Sequence, residues 1–286
     1  MKNKNMISEL LKTVNGGVYR ILFLVITVTV AENLNAQSVD VVVRDNGVER
    51  QESIDLPKSM TYPIDSLLND WKAKTYLQLG KDCNTSEENP YFSDSIYVDR
   101  LSRIPSVMEM PYNDVVRKFI DMYASRLREQ VSFMLSASNF YIPIFEEALD
   151  AYNLPLELKY LPVIESALNP SAVSRAGASG LWQFMIGTGK IYGLEVNSLV
   201  DERRDPIKAT WAAARYLKDL YEIYQDWNLV IAAYNCGPGN INKAIRRSGG
   251  KNDYWSIYNL LPKETRGYVP AFIAANYLMT YYCDHN

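Results

Sequence analysis

Residues 165–185 read ESALNPSAVSRAGASGLWQFM and lie between two sets of segments with helical periodicity. Glu165 ends the helical pattern on one side, and the small residues and two glycines after it favour a loop whose backbone approaches a ligand closely. Trp182, Phe184 and Met185 are predicted to give apolar surface beside that ligand. Partial desolvation in such a site favours the neutral form of a carboxyl group, so Glu165 is a candidate proton donor. Alternatively, this glutamate only ends a helix and the glycines only make turns.

The segments on both sides predict a mainly α domain over residues 106–286, in which strand signals are nearly absent. Tyr216 and Tyr224 are placed on the core face of one of its helices. Helices are predicted from Asn113 or Asp114, from about Ile142 to Tyr152, from Pro155, from Pro206 and from near Pro270.

The N-terminal residues 1–36 have the pattern of a secretory signal peptide. Lys2, Lys4, Lys12 and Arg20 precede a mostly apolar run at 21–30. That run is shorter than the ~20 residues that span a membrane, so we expect export to the periplasm or cell envelope and no membrane span after signal removal. An uncleaved anchor is the alternative. Residues 37–105 are polar and irregular and predict an N-terminal extension or linker.

Composition excludes several classes of function. The chain has 286 residues, 48% of them hydrophobic, which suffices for a globular core. Its 30 basic and 33 acidic residues give a net charge of −3, so nucleic acid is not an expected partner. The single histidine, His285, leaves little from which to build a Ser-His-Asp triad or a zinc site. No metal or organic cofactor is predicted, and carboxylates are the abundant acid–base groups.

The three cysteines, Cys83, Cys236 and Cys283, form no CxxC motif. In an oxidising compartment they permit one disulfide. A bond between Cys236 and Cys283 is the first hypothesis, and two unpaired buried cysteines are the alternative.

Four blocks of sequence occur in the order found in one enzyme family. The stretch at 165–185 resembles the signature of the lytic transglycosylases of glycoside hydrolase family 23, whose soluble-type domain is related to goose-type lysozyme. Within the family, the pattern is most similar to the membrane-bound type D. The resemblance implies a lysozyme-like transglycosylase domain. The other blocks are DP at 205–206 with AAARYL at 212–217, AAYNCGPG at 232–239 and ETRGYV at 264–269.

The resemblance also implies a reaction. These enzymes cleave the β-1,4 bond between N-acetylmuramic acid and N-acetylglucosamine in peptidoglycan without water, and they form a 1,6-anhydro ring. Glu165 matches the family's one catalytic carboxylate, which first protonates the glycosidic oxygen and then takes the proton of the attacking C6 hydroxyl. Peptidoglycan glycan strands are therefore the implied partner, and protein partners are not predicted. The residues implied in substrate binding are Ser174, Gln183, Met185, Tyr234, Asn235 and Glu264.

Two other functions stay open at this point. A hydrolase of the goose-lysozyme type would need a second acid to activate water, and Asp201, Glu202 and Asp205 are available for that role. A non-catalytic module that binds cell-wall glycan is the other alternative.

Overall fold

The computed structural model describes residues 38–45, 48–57, 83 and 89–285. By its contacts the chain divides into residues 1–39 and 40–286, and the second unit contains nearly all of the described residues. The predicted signal peptide, residues 1–36, lies outside them.

The described part of the N-terminal extension contains regular structure that the sequence analysis did not identify. Strand β1, Ser38–Asp45, pairs with strand β2, Val48–Asp55. Val41 of β1 and Ile54 of β2 are completely buried, so the hairpin contributes apolar side chains to the core. Helix α1, Asp94–Arg103, follows later in the extension.

The remaining described residues form a helical domain, as predicted. Asn113 Oδ1 accepts hydrogen bonds from the backbone N–H groups of Val115 and Val116, so Asn113 caps a helix as expected. Pro206 likewise opens a helix. The helices are α2 Asp114–Ala124, α3 Arg128–Ala151, α4 Leu161–Ser166, α5 Ile186–Ile191, α6 Pro206–Tyr224, α7 Trp227–Cys236, α8 Pro238–Arg247, α9 Tyr254–Ile257 and α10 Lys263–Tyr281, with short 3-10 turns at Leu156–Tyr160, Glu202–Arg204, Tyr258–Leu260 and Tyr282–His285.

Two predicted helix starts were wrong, and both lie next to a proline. Helix α3 begins at Arg128 and runs through Pro143 rather than starting at Ile142. Helix α10 begins at Lys263 and runs through Pro270. Proline removes one backbone donor from a helix interior, but α3 and α10 continue to bury apolar side chains beyond it, and this packing outweighs the local preference.

Helix α10 is the central helix of the domain. It packs against α2, α7 and strand β2, and its residues 267–279 are all buried. At Gly267 a Cβ atom would lie 2.6 Å from Ile54 Cγ2, so only glycine allows β2 to pack this closely. Arg266 forms an ion pair with Glu52 at the same contact.

The hypothesis for the disulfide was wrong. Cys83 is bonded to Cys283, and Cys236 is free. Cys236 ends α7, whereas Cys283 follows the last turn of α10 and meets the extension. None of the described helices is both long and apolar enough to cross a membrane.

Candidate active site

Glu165 lies in the last turn of the six-residue helix α4. The two residues after Ser166, Ala167 and Leu168, adopt left-handed φ values of 51° and 59°, which ends the helix. The Ser166 hydroxyl lies 2.9 Å from the carbonyl oxygen of Leu181. The carboxylate is therefore carried on a helix end that is joined to the loop at 171–185.

A cavity of about 320 Å³ opens beside this helix end. Each predicted site residue contributes to its lining. They come from four parts of the chain: the end of α4, the loop at 171–185, the end of α7 and the first turn of α10. The seven residues are Glu165, Ser174, Gln183, Met185, Tyr234, Asn235 and Glu264.

The glycines of the loop have a different role from the one predicted. Gly180 has a φ of 86°, and a Cβ there would lie 1.8 Å from the backbone oxygen of Arg203. This glycine lets the loop pack against the turn at Glu202–Arg204, rather than against a ligand. Gly177 also has a φ of 86°, with no heavy atom within 4 Å of a Cβ, so it serves the turn alone.

Arg203, which does not line the cavity, holds the loop in place. Its buried guanidinium donates to the carbonyl oxygens of Gly177, at 2.8 Å, and Phe184, at 2.9 Å. It also forms an ion pair with Asp201 at 2.7 Å. The hydrogen bond from Arg203 lowers the pKa of Asp201. Asp201 is thus a structural partner of the loop, and its carboxylate stays ionised.

The other two acids proposed for water activation are also engaged elsewhere. Glu202 forms an ion pair with Lys208 and accepts a hydrogen bond from the backbone N–H of Glu195 at 2.8 Å. Asp205 caps α6 by accepting from the N–H groups of Ile207 and Lys208, each at 2.9 Å. Neither residue, nor Asp201, lines the cavity.

Two polar side chains of the loop face the cavity. The Ser174 hydroxyl accepts from the Ala178 N–H at 3.0 Å, which leaves its own hydrogen to donate. The Gln183 amide nitrogen donates to the carbonyl oxygens of Gly180, at 2.8 Å, and Ala172, at 3.2 Å. Its Oε1 atom is buried without a hydrogen-bond partner among the described residues. Leaving such an acceptor without a hydrogen bond costs free energy, so Oε1 suits an N–H donor on a ligand.

Residues at the end of α7 connect the loop to α10. The Tyr234 hydroxyl donates to the carbonyl oxygen of Trp182 at 2.8 Å, and Asn235 Oδ1 accepts from the Thr265 hydroxyl at 2.8 Å. Burial, and then the charge of Glu165, raise the pKa of Tyr234 well above its usual value. This phenol therefore stays neutral and places a hydrogen-bonded ring in the cavity wall.

Sequence reasoning missed Tyr268. Its hydroxyl donates a hydrogen bond to Glu165 Oε1. Burial, and then the carboxylate of Glu165, raise the pKa of Tyr268 well above its usual value, so it remains a donor. The spacing from Glu264 was the available signal, because residues four apart on a helix share a face. Both residues line the cavity.

Two further predictions about aromatic residues need correction. Trp182 was expected beside the ligand, but it is completely buried, and its Nε1 donates to Thr210 Oγ1 at 2.9 Å. Tyr216 was expected on a core face, but it lines the cavity, and its ring centroid lies 5.2 Å from that of Tyr234. The periodicity predicted correctly that Tyr216 lies on the inward face of its helix, but at this position the inward face forms the cavity wall.

The hairpin also reaches the cavity, since buried Pro57, just after β2, contributes to its lining. In chemical terms the cavity offers the Glu165 carboxylate with a phenol donor on it, a second carboxylate in Glu264 and a buried amide acceptor in Gln183. No cluster of three or more His, Cys, Asp or Glu side chains that could hold a metal ion occurs in the described part of the chain.

Comparisons with known proteins bear on this arrangement. Residues 143–257 match the family model of the transglycosylase SLT domain. The membrane-bound lytic murein transglycosylase D of Escherichia coli K12 is 36% identical over 171 residues, which cover 58% of this chain and 37% of that protein. The soluble lytic murein transglycosylase of the same strain is 33% identical over 124 residues, covering 41% of this chain and 19% of that protein.

Among solved structures, the 70 kDa soluble lytic transglycosylase from Escherichia coli is similar with a TM-score of 0.45 and 24% identity, covering 59% of this chain and 30% of that one. The chain spans less than two fifths of the length of the two relatives above. The family match and the two relatives confirm the resemblance predicted from the four sequence blocks, and residues 143–257 match a transglycosylase SLT domain.

Proposed function

We propose that this protein is a lytic transglycosylase. It cleaves the β-1,4 bond between N-acetylmuramic acid and N-acetylglucosamine in peptidoglycan and leaves a 1,6-anhydro ring on the muramyl sugar. The observation that carries the proposal is the Glu165 carboxylate in the cavity wall, with the Tyr268 hydroxyl donating to it. The names of the two relatives, both lytic murein transglycosylases, support the same reaction.

The reaction needs one group that gives a proton and then takes one back. Protonated Glu165 donates to the glycosidic oxygen, the bond from C1 to that oxygen breaks, and N-acetylglucosamine leaves as an alcohol. The Glu165 carboxylate then accepts the proton of the C6 hydroxyl while that oxygen bonds to C1. Tyr268 fixes the orientation of the carboxylate through both steps, and Glu165 ends the cycle protonated again.

Substrate binding follows from the polar groups on the cavity wall. In this proposal Gln183 Oε1 accepts from the N–H of an acetamido group, and the Ser174 hydroxyl donates to a sugar oxygen or to Glu165. Glu264 accepts from a hydroxyl or amide of the ligand. Tyr234 and Asn235 hold the end of α7 in the wall, while Met185, 46% exposed, gives an apolar edge.

Hydrolysis is less well supported by the geometry. The three acids considered for water activation, Asp201, Glu202 and Asp205, are engaged in ion pairs or a helix cap and do not line the cavity. Glu264 is the other carboxylate of the lining. If the Glu264→Gln variant still forms anhydro ends, its reaction does not depend on Glu264 as a base that activates water.

We also propose that the protein is exported to the periplasm or cell envelope. The signal-peptide pattern at 1–36 supports this location, and so does the disulfide between Cys83 and Cys283, because disulfides persist in oxidising compartments.

Mass spectrometry of digested peptidoglycan tests the reaction. Purified protein is incubated with sacculi, and the soluble products are compared with those of a hydrolytic lysozyme. We expect glycan ends that are lighter by one water, because the anhydro ring replaces the free reducing end. Reducing ends alone would assign hydrolysis, and an absence of soluble products would leave a binding module.

A further inference from the structure

A second concave surface of about 780 Å³ lies at the other end of α7. Its wall is formed by residues 107–109, the turn after α3, the last two turns of α6 and the first turn of α7. None of its lining residues belongs to the lining of the Glu165 cavity. We call this surface the second groove, and six of its residues matter here: Tyr152, Asn153, Lys218, Tyr221, Glu222 and Trp227.

The second groove contains fixed aromatic rings. Tyr221 and Trp227 stack with ring centroids 4.1 Å apart and an interplanar angle of 14°. Tyr152 packs edge-on against Trp211 at 5.9 Å, and the Lys218 ammonium lies 5.8 Å from the Tyr152 ring. Tyr152, Tyr221 and Trp227 are only partly buried. They are therefore held in one orientation and leave part of their apolar ring surface exposed.

The rim of the second groove is polar. Within the described residues, the Asn153 amide and the Glu222 carboxylate, both exposed, make no side-chain hydrogen bond. They are available to hydroxyl and amide groups of a ligand. Three carboxylates, those of Glu109, Glu222 and Asp226, line the groove against the single cation of Lys218. This excess of negative charge disfavours an acidic ligand.

Flat rings beside an amide and carboxylates, which hydrogen-bond to hydroxyl and N–H groups, fit a pyranose, because a pyranose has one apolar C–H face and a polar edge. We propose that the second groove is a carbohydrate-binding site for neutral N-acetylhexosamine units of a glycan strand. The identity of that strand as peptidoglycan rests on the proposed function above, whereas binding of the sugar class does not.

Helix α7 connects the second groove to the Glu165 cavity. Trp227 begins the helix in the second groove, and Tyr234 to Cys236 end it in the Glu165 cavity. Ten residues of α-helix span ~15 Å. A protein that holds an insoluble polymer at two places so close together keeps the catalytic cavity near uncut strands, because the second binding event occurs at high effective concentration.

Binding is tested with tri-N-acetylchitotriose as the probe and the indole N–H signal of Trp227 as the readout in NMR, assigned through Trp227→Phe. We expect a saturable shift of this signal in both the natural protein and the Glu165→Gln variant. Tyr221→Ala should abolish the shift. Ile223→Ala is the matched control, because Ile223 is 59% exposed on the same turn of α6 and lies outside the groove.

A kinetic comparison tests what the site is for. With sacculi as substrate, Tyr221→Ala should raise KM about 5- to 10-fold. With a short soluble muropeptide that has one cleavable bond, the same variant should match the natural enzyme, which also shows that it is folded.

Two outcomes overturn the inference: a Trp227 signal that does not respond to chitotriose, or one that responds equally in Tyr221→Ala. Failure of the proposed function is distinguishable, since sacculi would then yield no anhydro ends while the Trp227 signal still shifts.

Discussion

Two buried tyrosines of α10 each bind an ionisable side chain, and they differ in what surrounds the pair. Tyr268 donates to Glu165 beside a cavity of about 320 Å³. Tyr277, nine residues later on the helix, bonds to Nε2 of His285 at 3.1 Å. That second pair is closed off from solvent, because His285 is only 4% exposed and packs edge-on against Phe92.

The side chains of the closed cluster, which comprises His285, Tyr277, Asn89 and Arg100, hydrogen-bond to one another. His285 Nδ1 lies 3.0 Å from Asn89 Oδ1, and Arg100 donates to the Tyr277 hydroxyl at 2.9 Å. Burial lowers the pKa of His285 to about 4, so the ring is neutral at pH 7. Both clusters contain an ionisable side chain that is hydrogen-bonded to a buried tyrosine. Access to a cavity is therefore what distinguishes the candidate active site from the structural contact.

Replacing the cavity carboxylate should have the largest effect. Glu165→Gln removes the proposed proton donor while keeping size and hydrogen-bonding capacity, so we expect the rate of muropeptide release to fall by ~10² to 10⁴. The melting temperature should stay within a few degrees. Glu147→Gln is the matched control, because Glu147 is an exposed glutamate of α3 outside the cavity. Comparable activity in the two variants would remove Glu165 from the mechanism.

Breaking the disulfide should affect stability instead. The bond between Cys83 and Cys283 joins positions 200 residues apart in the sequence, and native disulfides typically contribute ~2–4 kcal/mol to the free energy of unfolding. We expect the Cys83→Ser/Cys283→Ser protein to unfold at lower denaturant concentration by about that amount, with kcat within about twofold, since neither cysteine lines the cavity.

Reductant provides the control for the disulfide. Dithiothreitol should destabilise the natural protein to the same extent and leave the double variant unchanged. An equal loss of stability on reducing the double variant would assign the effect to something other than this bond.

Local signals account for what the sequence predicted correctly. The cap at Asn113 and the helix start at Pro206 depend on a few neighbouring residues, and both are present. The seven candidate residues, which line one cavity, could be predicted together because the family resemblance supplied their long-range relation. Their roles remain predictions, which the variants above address.

What could not be predicted depends on contacts between distant parts of the chain. Cys283 pairs with Cys83 across 200 residues, and Gly180 is fixed by the backbone of Arg203 rather than by its own loop. Helix α10 continues through Pro270 because its surroundings bury it. The same holds for Trp182, whose partner Thr210 lies on α6. None of these relations has a local signature.

Acid should weaken the closed cluster. The pKa of His285 is about 4 in the folded protein against an ordinary value of 6.5, so the unfolded chain binds the proton first. Stability from the neutral ring is complete above pH 6.5 and is lost as the pH falls from about 6.5 towards 4, by up to ~3 kcal/mol. Denaturant titrations at pH 7 and pH 4.5 measure this loss.

The carboxylates also titrate in part of this range, so the difference between two proteins isolates the histidine. His285→Gln keeps a neutral side chain that can bond to Asn89 and Tyr277, and it should lose less stability than the natural protein over the same interval. Identical pH profiles for the two proteins would contradict a neutral, buried His285.

The smallest effect, and the sharpest test of the comparison, comes from one substitution made twice on the same helix. Tyr268→Phe removes the hydroxyl that orients Glu165, so we expect kcat to fall about tenfold with KM nearly unchanged, because a single hydrogen bond of this kind contributes on the order of 1 kcal/mol. Tyr277→Phe removes a hydroxyl from the closed cluster and should lower stability by ~1–2 kcal/mol while kcat stays the same.

The two variants are each other's controls, since both delete one oxygen from a buried tyrosine of α10. A structural role for Tyr268 alone would lower its stability as in Tyr277→Phe and leave kcat unaffected. A fall of kcat in both variants would mean that the two clusters are coupled through α10, and access to the cavity would then no longer separate them. A fall of kcat in Tyr268→Phe alone is the result that keeps the phenol in the mechanism. Only in that variant did the deleted hydroxyl donate a hydrogen bond to the carboxylate that, in the proposed mechanism, meets the substrate.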